Sequence, residues 1–245
     1  MEKKPNARGP RARLSYQEGQ GMRRYIFPVL MGVVGTGVLL SLGFWQVQRL
    51  DWKRGILHEI ETQISAPSIA LPESPTEAEL EYRTVEFHAT PTGRELHVLS
   101  SGTGAGTGYR VISAVTTDEG RTVMVDLGVM PLEAKGAAPD MTPTKILGNF
   151  LWPDDKTSST PEPDFAKGIW FARDVGPMAE ALQAEAILVV LRQASHYDPR
   201  VTPVPVDTSG IKNDHREYAI TWFLLAAVWT VMSLWLIIRI ARRKE

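Results

Sequence analysis

The residues best suited to chemistry lie where an uncharged stretch begins near the carboxyl end of the chain. If a helix begins near Asp214, residues three, four and seven positions apart fall on one of its faces. That face carries His215, Tyr218, Ala219 and Trp222. It offers one imidazole, aromatic side chains and a small residue that leaves room. Such a face could hold a flat apolar cofactor, haem, with its iron bound axially by His215 and with Tyr218 and Trp222 as the supporting wall. The alternative, which the residues alone favour, is that His215 only forms a hydrogen bond at the edge of the membrane.

His88 and His97 form a second candidate, for a metal ion. Strand-like runs at Thr84–Ala89 and Glu95–Leu99 flank Thr90–Arg94, a glycine-containing segment typical of a hairpin turn. Such a turn would place the two imidazoles opposite each other on one sheet face. Two ligands do not complete a structural zinc site and no third is evident nearby, so exposed histidines without a metal are the default interpretation.

The remaining polar motifs give weaker signals. Asp154 and Asp155 follow Trp152-Pro153 and could act as an acid–base pair if buried, although a solvated turn is the default. The run Gly102–Gly108 fits neither the dinucleotide-binding nor the Walker pattern, and its place between two strands favours a flexible loop. No G-x-S-x-G or H-E-x-x-H motif indicates a hydrolase. The absence of cysteine excludes thiolate catalysis, disulfides and iron–sulfur ligation.

Two uncharged stretches are long enough to cross a membrane. They are residues 25–47, with 23 residues, and residues 218–238, with 21. At roughly 1.5 Å per residue the first spans about 35 Å of helix, against about 30 Å of hydrocarbon core. A soluble core helix would show a polar stripe, and a cleavable signal peptide would be shorter and end in a small-residue cleavage site. We therefore expect two transmembrane helices.

Basic residues in the two short tails predict the orientation. Seven lysines and arginines precede the first span and four follow the second, whereas the inner flanks mix basic with acidic residues. The tails 1–24 and 239–245 are therefore expected in the cytoplasm, and the domain 48–217 in the periplasm. The first tail lacks a mitochondrial transit pattern, which favours a bacterial inner (plasma) membrane. The overall charge of −1 gives no indication of nucleic-acid binding.

The central residues predict one β-rich α+β domain. Apolar residues at helical spacing in Trp52–Ile64 indicate that the chain leaves the membrane as a short amphipathic helix. Beyond the expected hairpin at residues 90–94, the runs Tyr109–Thr116 and Arg121–Val129 flank a second turn. Further expected elements are the strands Lys145–Trp152 and Ile187–Leu191 and the helix Pro177–Ala186. A small sheet or barrel-like meander with two short helices accounts for this pattern.

Small residues in both spans predict close packing of helices. They are Gly32, Thr36, Gly37 and Ser41 in the first span and Ala226 and Thr230 in the second. Such residues let two helix backbones approach closely in lipid. The two spans could pack against each other as a hairpin or against a larger membrane partner, and the sequence does not choose between them.

Five blocks of sequence resemble the surfeit-locus family of cytochrome oxidase assembly factors. The first, Leu42–Lys53, reads LGFWQVQRLDWK and is similar to the family's L-G-x-W-Q-x-x-R-x-x-W-K at the outer end of the first span. The other blocks are Glu81–Val85, Gly108–Val111, Trp170–Asp174 and Asn213–Phe223. The order of the blocks and the two-span topology together carry the resemblance.

The chain also departs from the family pattern in two places. Where the family typically has V-N-R-G-W-V-P, Val125–Pro131 reads VDLGVMP and lacks the arginine and the tryptophan. This change affects a partner contact or marks a divergent branch. Where the family has N-N-H-L-Q-Y-A, this chain has Asp214, Arg216 and Glu217 around a retained His215, which leaves the expected ligand in place.

The resemblance implies an assembly factor for haem–copper cytochrome c oxidase rather than an enzyme with turnover. Such a factor binds haem a or aids its insertion into the catalytic subunit, and His215 occupies the position of the family histidine proposed as haem ligand. The implied partners are oxidase subunit one, the enzymes of haem a synthesis and membrane lipid.

Two alternatives to a haem-binding factor stay open. One is a scaffold that stabilises oxidase assembly intermediates without binding haem, and the other is an accessory subunit retained in the mature respiratory complex. In both, His215 only forms a hydrogen bond at the edge of the membrane.

Overall fold

The computed structural model describes residues 11–103 and 106–242. Its helices are α1 (Arg11–Ser65), α2 (Glu77–Leu80), α3 (Val175–Leu182) and α4 (His215–Arg242). Its strands are β1 (Ile69–Ala70), β2 (Thr84–Thr103), β3 (Gly106–Thr117), β4 (Thr122–Pro131), β5 (Thr144–Phe150), β6 (Ile169–Trp170) and β7 (Leu188–Ala194). The chain divides into two compact units, a helical unit (Met1–Ile56 with Ile211–Glu245) and a barrel unit (Leu57–Gly210).

Within the described part of the chain, two helices are long and apolar enough to cross a membrane. One candidate span lies in Arg24–Ser65 of α1 and the other is His215–Arg242, which is α4. The expected spans 25–47 and 218–238 fall inside them. The amphipathic helix expected at Trp52–Ile64 is not a separate element, because α1 continues without a break to Ser65. Part of the expected basic tails, residues 1–10 and 243–245, lies outside the described residues.

Contacts within the helical unit show that α1 and α4 pack as an antiparallel pair. Thr36 Oγ1 lies 3.0 Å from Thr230 Oγ1, and the rings of Phe44 and Phe223 meet edge to face at 5.4 Å. Nearer the chain ends, Arg24 Nη2 donates to the carbonyl of Ile240 over 3.4 Å. Residue numbers rise along one helix as they fall along the other, so the two spans form a hairpin.

Small residues set how closely the two helices approach. A Cβ added at Gly32 would lie 3.0 Å from Ser233 Cβ, and one at Gly43 would lie 2.7 Å from the Phe223 ring. Of the small residues expected at a helix contact, Gly32, Thr36 and Thr230 lie at contacts between α1 and α4, and Ala226 is buried. By contrast, Gly37 faces open space and Ser41 is exposed. The contact at Gly43 was missed by the sequence analysis.

The barrel unit is built on five strands that close on themselves. Neighbouring strands pair in the order β2-β3-β4-β7-β5, and β5 pairs again with β2. The expected β-rich α+β domain with a sheet or barrel is therefore confirmed. The strand order is not a simple meander, because β7 lies between β4 and β5 and runs parallel to β4. The strand β5, which lies between β4 and β7 in the chain and runs antiparallel to β7, returns the chain so that the two can be parallel.

The hairpin expected at Thr90–Arg94 is wrong. Residues on both sides of it belong to the single 20-residue strand β2, and both pair with β3. The segment is a β-bulge between Pro91 and Glu95, with Gly93 at φ +79°. A glycine at positive φ serves a bulge as well as a turn, and a bulge bends a long strand so that a barrel can close. By contrast, the hairpin that joins β3 to β4 is confirmed, with Gly120 at φ +80°.

Two apolar clusters fill the barrel unit. The first takes buried side chains from all five barrel strands: Val85, Phe87, Ala89, Val115, Val123, Val125, Ile146, Phe150, Val189 and Leu191, together with Ile187. The second packs α3, through Met178, Ala179 and Leu182, against β2, β3, β4 and β7. The carbonyl of Ile64 at the end of α1 accepts bonds from Thr84 Oγ1 at 2.7 Å and Arg192 Nη1 at 3.0 Å. These bonds satisfy a backbone acceptor at the helix end.

Candidate functional site

The helix that carries the expected haem ligand begins where the sequence predicts. His215 is the first residue of α4, and the amide of Tyr218 donates to the carbonyl of Asp214 over 3.2 Å. This bond is the first turn of the helix, and it places His215, Tyr218, Ala219 and Trp222 on the expected face.

The face differs from the expectation in one respect. His215 and Trp222 are half-buried and Tyr218 is 56% exposed, but Ala219 is only 5% exposed. The space above the small residue is therefore filled by protein and does not leave room for a ligand. An incoming group would have to approach His215 from the side of Tyr218 and Trp222.

Gln46 on α1 is the hydrogen-bond partner of His215. Its side chain is buried, at 8% exposure, and its Oε1 lies 2.8 Å from Nδ1 of His215. An amide oxygen can only accept, so Nδ1 carries the hydrogen and donates it. The lone pair of the ring is then on Nε2, which makes no hydrogen bond within residues 11–103 and 106–242.

This arrangement fits an axial haem ligand. A neutral imidazole binds a metal through one nitrogen, and the other nitrogen donates to an oxygen that fixes the ring. His215 has both features: a fixed Nδ1–H and an unpaired Nε2 at a half-buried position. The aromatic side chains at Tyr218 and Trp222 are apolar enough to contact a macrocycle.

The second candidate, a metal pair at His88 and His97, is wrong. His88 stands opposite Lys145 of β5, while His97 stands opposite Val111 of β3, so the two imidazoles do not face each other. His97 Nε2 instead lies 2.8 Å from Glu95 Oε1. In the part of the chain that the structure describes, no three histidine or carboxylate side chains lie together as a metal site.

A buried charge cluster in the barrel unit was missed by the sequence analysis. The carboxylate of Asp126 has no solvent exposure, and its Oδ2 accepts from Arg110 Nη1 at 2.5 Å and from Arg173 Nη1 at 3.4 Å. Arg173 also donates to Asp155 Oδ2 over 2.6 Å. Burial alone would lower the pKa of Arg173, but its bonds to Asp155 and the charge of Asp126 raise it. Asp155 is thus half of an ion pair rather than half of an acid–base dyad with Asp154.

The cluster joins three of the motif regions singled out in the sequence. Arg110 comes from Gly108–Val111, Arg173 from Trp170–Asp174, and Asp126 from the divergent Val125–Pro131. An aspartate at this position accepts from both arginines, whereas the asparagine typical of the family would offer an oxygen without a charge.

A second ion-pair network fastens the segment that precedes α4 to the barrel. Arg200 Nη2 lies 2.9 Å from Glu95 Oε2 and 2.7 Å from Asp198 Oδ2, and all three side chains are nearly buried. Burial by itself raises the pKa of Glu95, but the hydrogen bonds from His97 and Arg200 outweigh it and lower the pKa to about 2. The carboxylate is therefore charged throughout the physiological range.

The glycine run Gly102–Gly108 lies at the hairpin between β2 and β3. Thr103 pairs with Gly106, and Gly104 and Ala105 lie outside the described residues. Its position between two strands is as expected. A phosphate site at a helix terminus is not formed here.

A comparison with protein families identifies the family of this chain. The model of the SURF1 family matches residues 33–227 of this chain. The match includes part of each helix of the pair, the complete barrel unit and His215. The chain belongs to the SURF1 family.

Individual relatives agree with the SURF1 assignment. Surfeit locus protein 1 of Xenopus tropicalis is 29% identical over 225 residues, covering 78% of this chain and 70% of the relative. Surfeit locus protein 1 of Homo sapiens is 28% identical over 214 residues, covering 76% and 70%. The SURF1-like protein of Rickettsia bellii is 28% identical over 219 residues, covering 84% and 87%.

Proposed function

We propose that this SURF1 family member is a membrane-anchored assembly factor for haem–copper cytochrome c oxidase that holds haem a at His215 or aids its insertion into the catalytic subunit. The proposal treats the chain as a binding protein without turnover. Its partners are oxidase subunit one, the enzymes that make haem a, and the lipid around the helix pair. Its location is the bacterial inner membrane, with the tails in the cytoplasm and the barrel unit in the periplasm.

The single observation that carries the haem proposal is the state of the His215 ring. Its Nδ1 is occupied by Gln46 Oε1 at 2.8 Å, and its Nε2 has no partner among the described residues. A metal-binding imidazole needs one nitrogen held by an acceptor and the other open to the metal, and His215 has this arrangement. The open Nε2 supports a role for His215 as a metal ligand.

The chain's own residues would perform separate tasks around haem. His215 Nε2 would bind the iron, Tyr218 and Trp222 would contact the apolar edge of the ring, and the helix pair would keep the site at the membrane boundary. Bound haem would supply the redox-active iron that the oxidase requires.

The experiment is an absorbance measurement on the full chain purified in detergent from cells that make haem a. We expect a Soret band in the wild-type protein, retained in His88→Ala and lost in His215→Ala. His88 is a matched control because it is an exposed histidine in the barrel unit. A wild-type protein without a Soret band, or His215→Ala with unchanged haem content, would leave the scaffold as the function instead.

A further inference from the structure

We propose that Gln46 is a positioning residue that fixes the tautomer of His215 and thereby keeps Nε2 available as a metal ligand. The part of this inference that concerns haem rests on the proposed function. The part that concerns the tautomer does not, because it is a property of the protein without haem.

The environment of Gln46 makes its bond to His215 strong. Gln46 lies in the last turn of the uncharged stretch 25–47 and is 8% exposed. A buried amide that lacks a partner is costly next to lipid, so the bond to His215 Nδ1 is favoured over solvation. Gln46 and Leu50, four residues apart on α1, are both buried, whereas the neighbouring Gln48 is exposed. Gln46 therefore points into the helix pair while Gln48 points away from it.

The register of the helix pair brings the two side chains together. Gly43 lets the Phe223 ring approach α1, and Thr36 and Thr230 meet further along the pair, toward the two chain ends. On the other side of Gln46, the Lys53 ammonium donates to the carbonyl of Lys212. These contacts on both sides hold Gln46 opposite the first turn of α4. The Gln46 side-chain oxygen is therefore already positioned next to His215 Nδ1.

The chemical consequence follows from the two nitrogens of one ring. In a neutral imidazole one nitrogen carries hydrogen and the other carries the lone pair. If Nδ1 donates to Gln46, the lone pair is on Nε2. Without an acceptor at Nδ1, the hydrogen can move to Nε2 and block the position that would bind iron. Loss of a hydrogen-bond partner that orients a metal ligand typically lowers metal affinity by roughly 10–100-fold.

The first test reads the tautomer directly in the haem-free protein. The chain has five histidines, and the His215 ring is assigned in ¹⁵N-histidine NMR spectra of the full chain in detergent by its loss in His215→Ala. We expect Nδ1–H in the wild type, in Gln48→Leu and in Gln46→Glu, whose carboxylate still accepts. We expect the Nε2–H form to appear in Gln46→Leu. An Nε2–H ring in the wild type, or a Gln46→Leu spectrum equal to that of the wild type, would overturn the inference.

The second test is a titration of the same proteins with haemin, followed by the Soret band. Gln46→Leu should bind haemin roughly 10–100-fold more weakly than the wild type, while Gln46→Glu and Gln48→Leu should bind as the wild type does. Rescue by Gln46→Glu distinguishes a lost hydrogen bond from a misfolded helix pair. Equal affinity in Gln46→Leu and the wild type overturns the role of Gln46 alone. A wild-type protein that does not bind haemin overturns the proposed function, and the haem part of this inference with it, while the NMR result still decides the tautomer.

Discussion

Arg110 Nη1 donates to Asp126 Oδ2 over 2.5 Å and joins strands β3 and β4 at a carboxylate that has no contact with solvent. A charge this deep in a protein is tolerated only when it is paired and hydrogen-bonded. The same carboxylate holds Arg173, and its other oxygen accepts from the amide of Gly128 at 3.0 Å. Asp126 therefore joins Arg110 and Arg173 in one buried ion-pair cluster.

Removing Asp126 should strongly destabilise the barrel unit. Asp126→Ala leaves two partly buried guanidinium groups without their shared partner, and breaking a buried pair in this way costs about 3–5 kcal/mol. Denaturant unfolding of the full chain in detergent, followed by the β-sheet circular dichroism signal, measures the change. Glu133→Ala is the matched control, because Glu133 is exposed. Equal stability of Asp126→Ala and the control would contradict the assigned role.

Glu95 should make the free energy of unfolding of the barrel unit depend on pH below about 4.5. Its pKa is lowered from 4.5 to about 2 in the folded chain, so its contribution is complete above pH 4.5 and is lost as the pH falls toward 2. At pH 7, Glu95→Gln should lower the free energy of unfolding by about 1.5–3 kcal/mol, the usual range for hydrogen bonds to charged groups.

The difference between Glu95→Gln and the wild type should shrink steadily between pH 4.5 and pH 2. Unfolding curves at several pH values measure it. The control is Glu162→Gln, which removes an exposed carboxylate. A difference that stays constant over this range would show that the charge of Glu95 does not carry the effect.

The hairpin of α1 and α4 can be tested by cross-linking, since the natural chain has no cysteine. The hydroxyl oxygens of Thr36 and Thr230 are 3.0 Å apart, so Thr36→Cys with Thr230→Cys should form a disulfide on mild oxidation. Adding Gly43→Leu should reduce the yield, because its Cβ would lie 2.7 Å from the Phe223 ring.

Gly37→Leu is the matched control for Gly43→Leu. A Cβ at Gly37 meets nothing within 4 Å, so this variant should cross-link as well as the parent pair. Protection of the thiols from a polyethylene-glycol maleimide reports the yield. Equal cross-linking in the two leucine variants would contradict the close approach at Gly43.

The proposed orientation predicts which parts of the chain face the periplasm. Single cysteines at Ser159, exposed in the barrel unit, and at Ala241, at the end of α4, report the two sides. In intact cells a membrane-impermeant maleimide should label Ser159→Cys but label Ala241→Cys only after permeabilisation. Labelling of both, or of Ala241→Cys alone, in intact cells would reject this topology.

Local patterns were sufficient to predict the spans and several strands. Uncharged length identified both membrane helices, and the sequence of Thr117–Gly120 identified the β3–β4 hairpin. Local patterns were not sufficient at Gly93, because a positive φ serves both a turn and a bulge, and only the pairing of the whole of β2 with β3 distinguishes them. The error at Gly93 led directly to the wrong juxtaposition of His88 and His97.

Long-range partners could not be read from the sequence. Gln46 and His215 are 169 residues apart, and Arg110, Asp126 and Arg173 come from three separate segments. The available signals were an uncharged polar residue at the end of an apolar span and an aspartate within a strand of valines. Both signals mark a residue that needs a partner, but neither identifies the partner.

The most direct test of the proposed function is the haem a content of cytochrome c oxidase purified from cells that lack this gene. The deletion strain should contain oxidase with less haem a per catalytic subunit, restored by the wild-type gene and by His88→Ala but not by His215→Ala. Full haem a content in the deletion strain would contradict the proposal. So would stoichiometric recovery of this chain in the active oxidase, which would identify an accessory subunit.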